Sequence, residues 1–152
     1  MALADLMKEF GQSMGLGDVA LEEDGGARIV IDGSLEVDIA AARDGAGFDI
    51  TAAVCPIPTR NQRGIFAGML EANLVGQGTG GAALSLDTSL GEVVLSRSIR
   101  QDSLSYDEFE GEMIRFTAAL RDWRGAFEVE KTGPRPVKAA RNRKGKISYG
   151  PN

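Results

Sequence analysis

Hydrophobic residues near the start of this chain recur at the spacing of one face of a helix. Between residues 2 and 14 this apolar stripe consists of Leu3, Leu6, Met7, Phe10 and Met14. Polar residues such as Asp5, Lys8 and Glu9 lie off the stripe, so the pattern predicts an amphipathic helix. Gly15 and Gly17 are expected to end it.

The segment that follows alternates apolar and polar residues with the period of a β-strand. Four stretches show this pattern, at residues 18–23, 27–31, 34–42 and 48–54. In the third stretch, for example, Leu35 and Val37 alternate with Glu36 and Asp38, as on a strand with one solvated face. Because short turns rich in Asp and Gly separate the stretches, they predict an antiparallel meander of four strands.

A second predicted helix, at residues 60–75, is apolar on more than one face. Its apolar residues are Ile65, Phe66, Met69, Leu70, Leu74 and Val75. A helix that is apolar most of the way round is buried on two sides. One side can face the sheet of this chain, so we expect the other side to contact a second copy of the chain in a homodimer.

Residues 82–87 and 92–97 predict a hairpin, and the last helix follows it. Ser105 and Glu108 form a capping-box pattern at the start of this helix. Its apolar stripe is Phe109, Met113, Phe116, Leu120 and Trp123. The predicted element order is α-β-β-β-β-α-β-β-α, which corresponds to an α+β fold with an antiparallel β-sheet and three helices.

A glycine-rich loop at residues 76–81 joins the second predicted helix to the next strand. Its sequence, GQGTGG, matches the pattern G-x-G-x-x-G at Gly76, Gly78 and Gly81. Dinucleotide-binding loops follow a strand and precede a helix, whereas this loop follows a helix, whose C-terminal dipole end repels phosphate. We therefore interpret the loop as a helix C-cap with a chain reversal, and we expect no nucleotide or other cofactor.

Composition narrows the possible functions further. The chain of 152 residues has one cysteine, Cys55, and no histidine, which removes Ser-His-Asp and Cys-His nucleophile pairs and His-ligated metal sites. No apolar run approaches the roughly 20 residues that span a bilayer. Because no signal peptide is recognised either, a cytoplasmic location without membrane insertion is expected. A binding protein is favoured over an enzyme, with catalysis through carboxylates alone as an alternative.

Charge divides the chain into an acidic body, residues 1–124, and a basic tail, residues 125–152. The whole chain carries a net charge of −5, yet basic residues clearly outnumber acidic residues after Arg124. The tail has no apolar period, so it is expected to be mostly disordered. Because Phe127 and Tyr149 are its only aromatic residues, no platform for stacked bases is indicated and no nucleic-acid partner is expected.

Several runs together resemble the class I type III secretion chaperones of the Tir chaperone (CesT) family. They are LEANLVGQGTGGAALSLD at residues 70–87, GEVVLSRS at residues 91–98 and the ending DWR of the last helix. The resemblance covers about residues 3–124. It implies a small, acidic, cytoplasmic homodimer that binds the N-terminal segment of a secreted virulence effector in extended form. In that role the chaperone keeps the segment ready for secretion and hydrolyses no ATP.

The resemblance also assigns residues to two contacts. The residues expected at the effector-binding surface are Leu3, Leu6, Phe10, Val19, Leu21, Ile29 and Ile31. The residues expected at the dimer interface are Ile65, Phe66, Met69, Leu70, Asn73 and Leu74. We expect so small a body to cover the first helix incompletely, which leaves Leu6 and Phe10 available to a ligand. A dimeric adaptor for another disordered segment, outside secretion, is the alternative function.

Overall fold

Five β-strands and three α-helices are present in the computed structural model, which describes residues 2–42, 46–100 and 104–132. The strands are β1 (Gly26–Ile31), β2 (Leu35–Ala41), β3 (Phe48–Pro56), β4 (Ala83–Asp87) and β5 (Glu92–Ile99). The helices are α1 (Leu3–Ser13), α2 (Gln62–Ala72) and α3 (Tyr106–Thr132). The strands form one antiparallel sheet in the order β1-β2-β3-β5-β4, so the predicted α+β fold class is confirmed.

The period-2 alternation sets the faces and the register of the first strands. In the β1–β2 pair, Ile29 lies opposite Val37 and Ile31 lies opposite Leu35. These four side chains are buried, whereas Val30 between the two isoleucines is exposed. Because successive side chains of a strand point to opposite faces, a shift of one residue in the pairing would move the buried set into solvent.

Residues 18–22 do not form the predicted strand. The hydrogen bonds from Glu22 N to Gly26 O (2.7 Å) and from Gly25 N to Glu22 O (2.9 Å) close a tight turn, and no ladder continues beyond it. The Asp24 carboxylate also accepts a hydrogen bond from Gly26 N. The prediction of four strands before the second helix is therefore wrong by one strand, and β1 is an edge of the sheet.

The last helix begins where the capping box places it and ends later than expected. Ser105 N donates to the Glu108 carboxylate (2.8 Å), and Glu108 N donates to Ser105 Oγ (3.2 Å). The helix then continues through residues 125–132, where disorder was predicted, and buries Phe127. The rest of the predicted basic tail, residues 133–152, lies outside the described residues.

The described residues divide into two compact units. Unit 1 comprises the chain up to Ala52 together with Ser96–Thr117. Unit 2 comprises Ala53–Leu95 together with α3 from Ala118 onward. Each unit has buried apolar side chains of its own.

Three aromatic rings lie at the centre of unit 1. Phe109 of α3 meets Phe10 of α1 edge-on, with 5.7 Å between ring centroids, and lies 5.5 Å from Phe48 of β3. Edge-to-face and tilted aromatic pairs of this kind contribute beyond the apolar area they bury. In unit 2 the buried apolar side chains include Val54, Met69, Leu84, Val93, Leu95 and Leu120.

A charge network in unit 1 connects α3 to β5. The Glu112 carboxylate accepts hydrogen bonds from Arg97 of β5 (3.2 Å) and from Arg115, one turn further along α3 (2.8 Å). Burial on its own raises the pKa of Glu112, but the hydrogen bonds and charges of the two arginines outweigh it and hold the pKa below its usual value. The network therefore stabilises the folded chain through the ionised form of Glu112.

We expect Glu112→Gln to lower the free energy of unfolding by about 1 kcal/mol at pH 7, because it removes the charge that both arginines bind. Because the pKa of Glu112 is lowered in the folded chain, the network contributes its full stabilisation at any pH above the ordinary glutamate pKa. The stabilisation is lost as the pH falls through the lowered pKa. Urea unfolding followed by circular dichroism should show a difference at pH 7 that shrinks under acid. Glu23→Gln, at an exposed turn residue, is the control. A difference independent of pH would contradict the assignment.

Candidate functional site

Unit 2 exposes a cluster of large apolar side chains where α2 ends. Leu70, Leu74 and Val75 are 71%, 64% and 82% exposed, and we call these three residues the α2 apolar surface. Leu74 and Val75 belong to a short 3-10 turn, Leu74–Gly76, that follows the helix. Exposed leucines occur singly on most proteins, whereas a contiguous apolar group of this kind is typical of an interaction surface.

The residues predicted at the dimer interface differ in their exposure to solvent. Leu70 and Leu74 are exposed, whereas Ile65 and Phe66 are half-buried. Met69 is 4% exposed and packs inside its own unit, so it is not available as an interface residue. The reason is helical geometry: neighbouring residues lie about 100° apart around a helix, so Met69 faces inward where Leu70 faces outward.

Asn73, also predicted at the interface, uses its side chain within its own chain. Its Nδ2 donates to the Leu84 carbonyl (2.9 Å), and its Oδ1 accepts from Leu84 N (2.7 Å). The amide therefore pairs with the β4 backbone as a neighbouring strand would. This contact fixes the position of the residues that follow α2 relative to β4.

The glycine-rich loop after the 3-10 turn is packed against its own backbone. Gly78 N donates to the Ala72 carbonyl (3.0 Å), and the Trp123 indole donates to the Gly78 carbonyl (2.9 Å). A Cβ on Gly76, whose φ is +69°, would lie 2.7 Å from the Gly81 Cα. The glycines therefore serve close backbone approach after a helix C-terminus, as predicted for a cap with a chain reversal.

Unit 1 places the predicted effector-binding residues differently from our expectation. Leu6 and Phe10 are each 1% exposed, so the expected incomplete burial of the first helix is wrong. The reason is that the α1 stripe packs into the core with Phe109. Ile29 and Ile31 are buried by the β1 alternation. The remaining three predicted residues, Leu3, Val19 and Leu21, are half-buried.

Other apolar side chains of unit 1 are exposed instead. Met14 and Leu16 flank Gly15 just after α1, and Val30 is 41% exposed on the outward face of the edge strand β1. The signal for Val30 was present in the sequence, because period-2 alternation turns it outward when Ile29 and Ile31 point inward. The signal for Leu16 was weaker, since it lies in a segment without regular structure.

The segment between α1 and β1 lies against α1 and has unpaired backbone. A Cβ added at Gly11 would come 2.7 Å from the Val19 side chain, so the segment crosses α1 at this glycine. Among the described parts of the chain, no hydrogen bond joins the backbone of residues 19–21 to a partner. On β1 itself, Arg28 is paired with Asp38 (2.7 Å), and that hydrogen bond raises the pKa of Arg28 above its usual value.

Nothing in the described ranges suggests metal chemistry or a membrane span. Across residues 2–42, 46–100 and 104–132, no three Asp, Glu or Cys side chains gather as a metal site would require. Within the same residues, no helix combines the length and apolar content needed to cross a bilayer.

Comparison with known protein families gives a match over most of the chain. A family model described as the Tir chaperone protein (CesT) family matches residues 5–124, which is most of the chain. No curated protein sequence matches this chain. The match includes α1, the edge strand, the α2 apolar surface and the glycine-rich loop.

Solved structures with a similar fold include complexes of chaperones. A chain of the ExsC-ExsE complex aligns with a TM-score of 0.68 and 22% identity, over 82% of this chain and 96% of that chain. The HopA1-SchA chaperone-effector complex aligns with a TM-score of 0.65 and 21% identity, over 80% and 91%. The Yersinia pestis type III secretion chaperone SycH, solved with a fragment of YscM2, aligns with a TM-score of 0.63 and 18% identity, over 82% and 98%.

The packing of the glycine-rich loop predicts a stability effect. In Gly78→Ala, the new Cβ would lie 2.8 Å from the Ala72 Cβ and 2.9 Å from its Cα, so the loop must shift. We expect a loss of about 1–3 kcal/mol in the free energy of unfolding. Gly125→Ala, with open space at a helical position, is the control and should be neutral or stabilising. Urea unfolding followed by circular dichroism checks both, and an unchanged midpoint for Gly78→Ala would contradict the packing.

Proposed function

This chain belongs to the Tir chaperone protein (CesT) family, and we propose that it is a type III secretion chaperone. It binds the N-terminal segment of a secreted effector in extended form and keeps that segment competent for secretion. The observation that carries this proposal is the family match over residues 5–124. The role needs no catalysis, and a chaperone that holds an effector before export acts in the bacterial cytoplasm.

The α2 apolar surface supports a homodimer as the working form. Leaving three large apolar side chains in water is unfavourable, at roughly 25 cal/mol for each Å² of apolar area. A two-fold symmetric contact covers the same surface on both copies at once, because an isologous interface is self-complementary. The proposed contact consists of Leu70, Leu74 and Val75 in the centre, with the half-buried Ile65 and Phe66 beside them.

The β1 edge and the segment at residues 19–21 support a surface for the effector segment. An extended ligand that pairs with a sheet edge gains backbone hydrogen bonds, while alternate side chains enter apolar patches. Free backbone groups at residues 19–21 and the exposed Val30 provide both elements. Leu3, Val19 and Leu21 remain proposed contacts, being half-buried.

Four residues from the predicted effector-binding set take another role in this proposal. Leu6, Phe10, Ile29 and Ile31 form the buried layer under the surface. They support the ligand contacts through the shape of the core. A charged substitution at any of these four positions should unfold the chain, because an unpaired charge in a core is costly. Such a variant therefore gives no information on ligand binding.

Light scattering at micromolar concentration should give about twice the 16.1 kDa chain mass. Leu70→Asp should weaken the dimer by about 3 kcal/mol or more, because it buries an unpaired charge at the contact. The fold should survive, since Leu70 is exposed in the single chain. Leu90→Asp, at an apolar residue exposed in the β4–β5 turn, is the matched control. A monomeric unaltered chain, or a dimer indifferent to Leu70→Asp, would contradict this contact.

Val30→Lys should weaken effector binding by about 2 kcal/mol or more if Val30 is an anchor. Lysine suits the fold at this position, because Glu36 lies directly opposite on β2 and opposite charges across strands attract. The tagged chain is purified from the bacterium that encodes it, its co-purifying protein is identified by mass spectrometry, and the N-terminal segment of that protein is titrated against each variant. Ile114→Lys, at another exposed apolar residue of unit 1, is the control.

The same titration separates the alternatives. Phe10→Asp should unfold the chain, since Phe10 is buried, and so cannot report on the ligand contact. A folded Val30→Lys variant that binds the segment with unchanged affinity would place the ligand elsewhere. A co-purifying protein that is not secreted would instead favour an adaptor outside secretion.

A further inference from the structure

Val75 adopts a backbone conformation that its residue type disfavours. Its φ and ψ are +46° and +26°, in the left-handed region. The other non-glycine residues with positive φ in the described ranges are Asp32 and Asn61, whose short polar side chains tolerate this region. For a β-branched residue such as valine the same conformation crowds Cβ against the backbone.

Val75 gains no burial in its own chain to offset this strain. Its side chain is 82% exposed, more than any other large apolar side chain in the described residues. Glycine or asparagine at this position would relieve the crowding, and glycine is present at the next position, Gly76, with φ +69°. Within the described residues, neither local conformational preference nor packing favours valine here. A strained residue that persists in this way indicates a function for its side chain.

The conformation is imposed by the surrounding contacts. Asn73 pairs with both backbone groups of Leu84 just before the turn. Gly76 N donates to the Asn73 carbonyl (3.1 Å), and Gly81 N donates to the Gly76 carbonyl (3.0 Å). The turn is therefore held from both sides while the Val75 side chain projects into solvent.

We propose that Val75 is an anchor of the contact between two copies of this chain, and that Asn73 is the positioning residue that holds it there before the copies meet. The inference rests on the proposed homodimer. A second copy is the occupant because Val75 follows Leu74 directly in the chain, Leu74 lies four residues after Leu70, and all three side chains are apolar and exposed where α2 ends. A preset turn favours association, since little conformational freedom is then lost on binding.

Two substitutions at Val75 test the anchor on the full chain. Val75→Asn tolerates the left-handed conformation and removes the apolar side chain, and Val75→Gly removes the strain as well. Sedimentation across a dilution series should show the dimer dissociation constant raised by about tenfold or more in both variants. Urea unfolding is measured at protein concentrations well below the dimer dissociation constant, where all chains are monomeric. Each variant should then have the same unfolding midpoint as the unaltered chain or a higher one. Leu90→Asn is the control and should change neither quantity.

A double-substitution cycle tests Asn73. Asn73→Ala should raise the dissociation constant by about tenfold in the unaltered chain, because the turn is no longer preset. In the Val75→Gly background the same substitution should raise it by less than about threefold, since the side chain that Asn73 positions is gone. A purely structural role would give the same factor in both backgrounds and would overturn the positioning assignment.

The outcomes separate this inference from the proposal beneath it. An unaltered chain that stays monomeric would overturn both the homodimer and the anchor. A dimeric unaltered chain whose Val75→Asn and Val75→Gly variants dimerise equally well would overturn the anchor and leave the homodimer standing. Weaker dimerisation that comes with a lower unfolding midpoint in both variants would show that Val75 supports the fold, and would likewise overturn the anchor.

Discussion

The contact of Phe109 with Phe10 and Phe48 is the interaction on which the arrangement of unit 1 depends. It joins the first helix, the third strand and the last helix, which are far apart in sequence. It also buries Leu6, Met7 and Phe10, the middle of the α1 stripe, in the core. The exposed apolar residues of this unit, such as Val30 at the sheet edge, lie at the margin of that core, where we propose the ligand contact. On β1 the alternation of side chains places Ile29 and Ile31 in the core and turns Val30, the proposed ligand contact, toward solvent.

Sequence patterns predicted the fold class because its elements have strong local signals. Ser105 and Glu108 form the capping box they predicted, and Leu35, Val37 and Ile39 lie on one buried face as their spacing required. The strand at residues 18–23 failed because an alternating pattern fits an extended segment as well as a paired strand. The predicted helix end at Arg124 failed because the tail from residue 125 shows no apolar period, yet a helix can continue without one and a glycine such as Gly125 costs it only about 1 kcal/mol.

The candidate site was predicted less well, for a different physical reason. An apolar stripe shows that a helix faces something apolar, but it does not show whether that surface belongs to the same chain. Phe10 and Met69 are buried within their own units, whereas Leu70 and Leu74 are exposed. Asn73 illustrates a second limit: its resemblance to a family run placed it near an interface, and only the geometry revealed that both ends of its amide bind Leu84. No sequence pattern predicted the left-handed backbone conformation of Val75.

The indole of Trp123 has a consequence beyond packing. It is the only tryptophan of the chain, and its N–H donates to the carbonyl of Gly78. The tryptophan emission of the whole molecule, excited selectively at the red edge of the absorption, therefore originates at one ring that touches the glycine-rich loop. A change in that hydrogen bond alters the emission of every chain in a sample, without any added dye. The emission wavelength of this indole thus reports on the loop beside the α2 apolar surface, and a shift without a change in the circular dichroism of the helices indicates local opening of the loop.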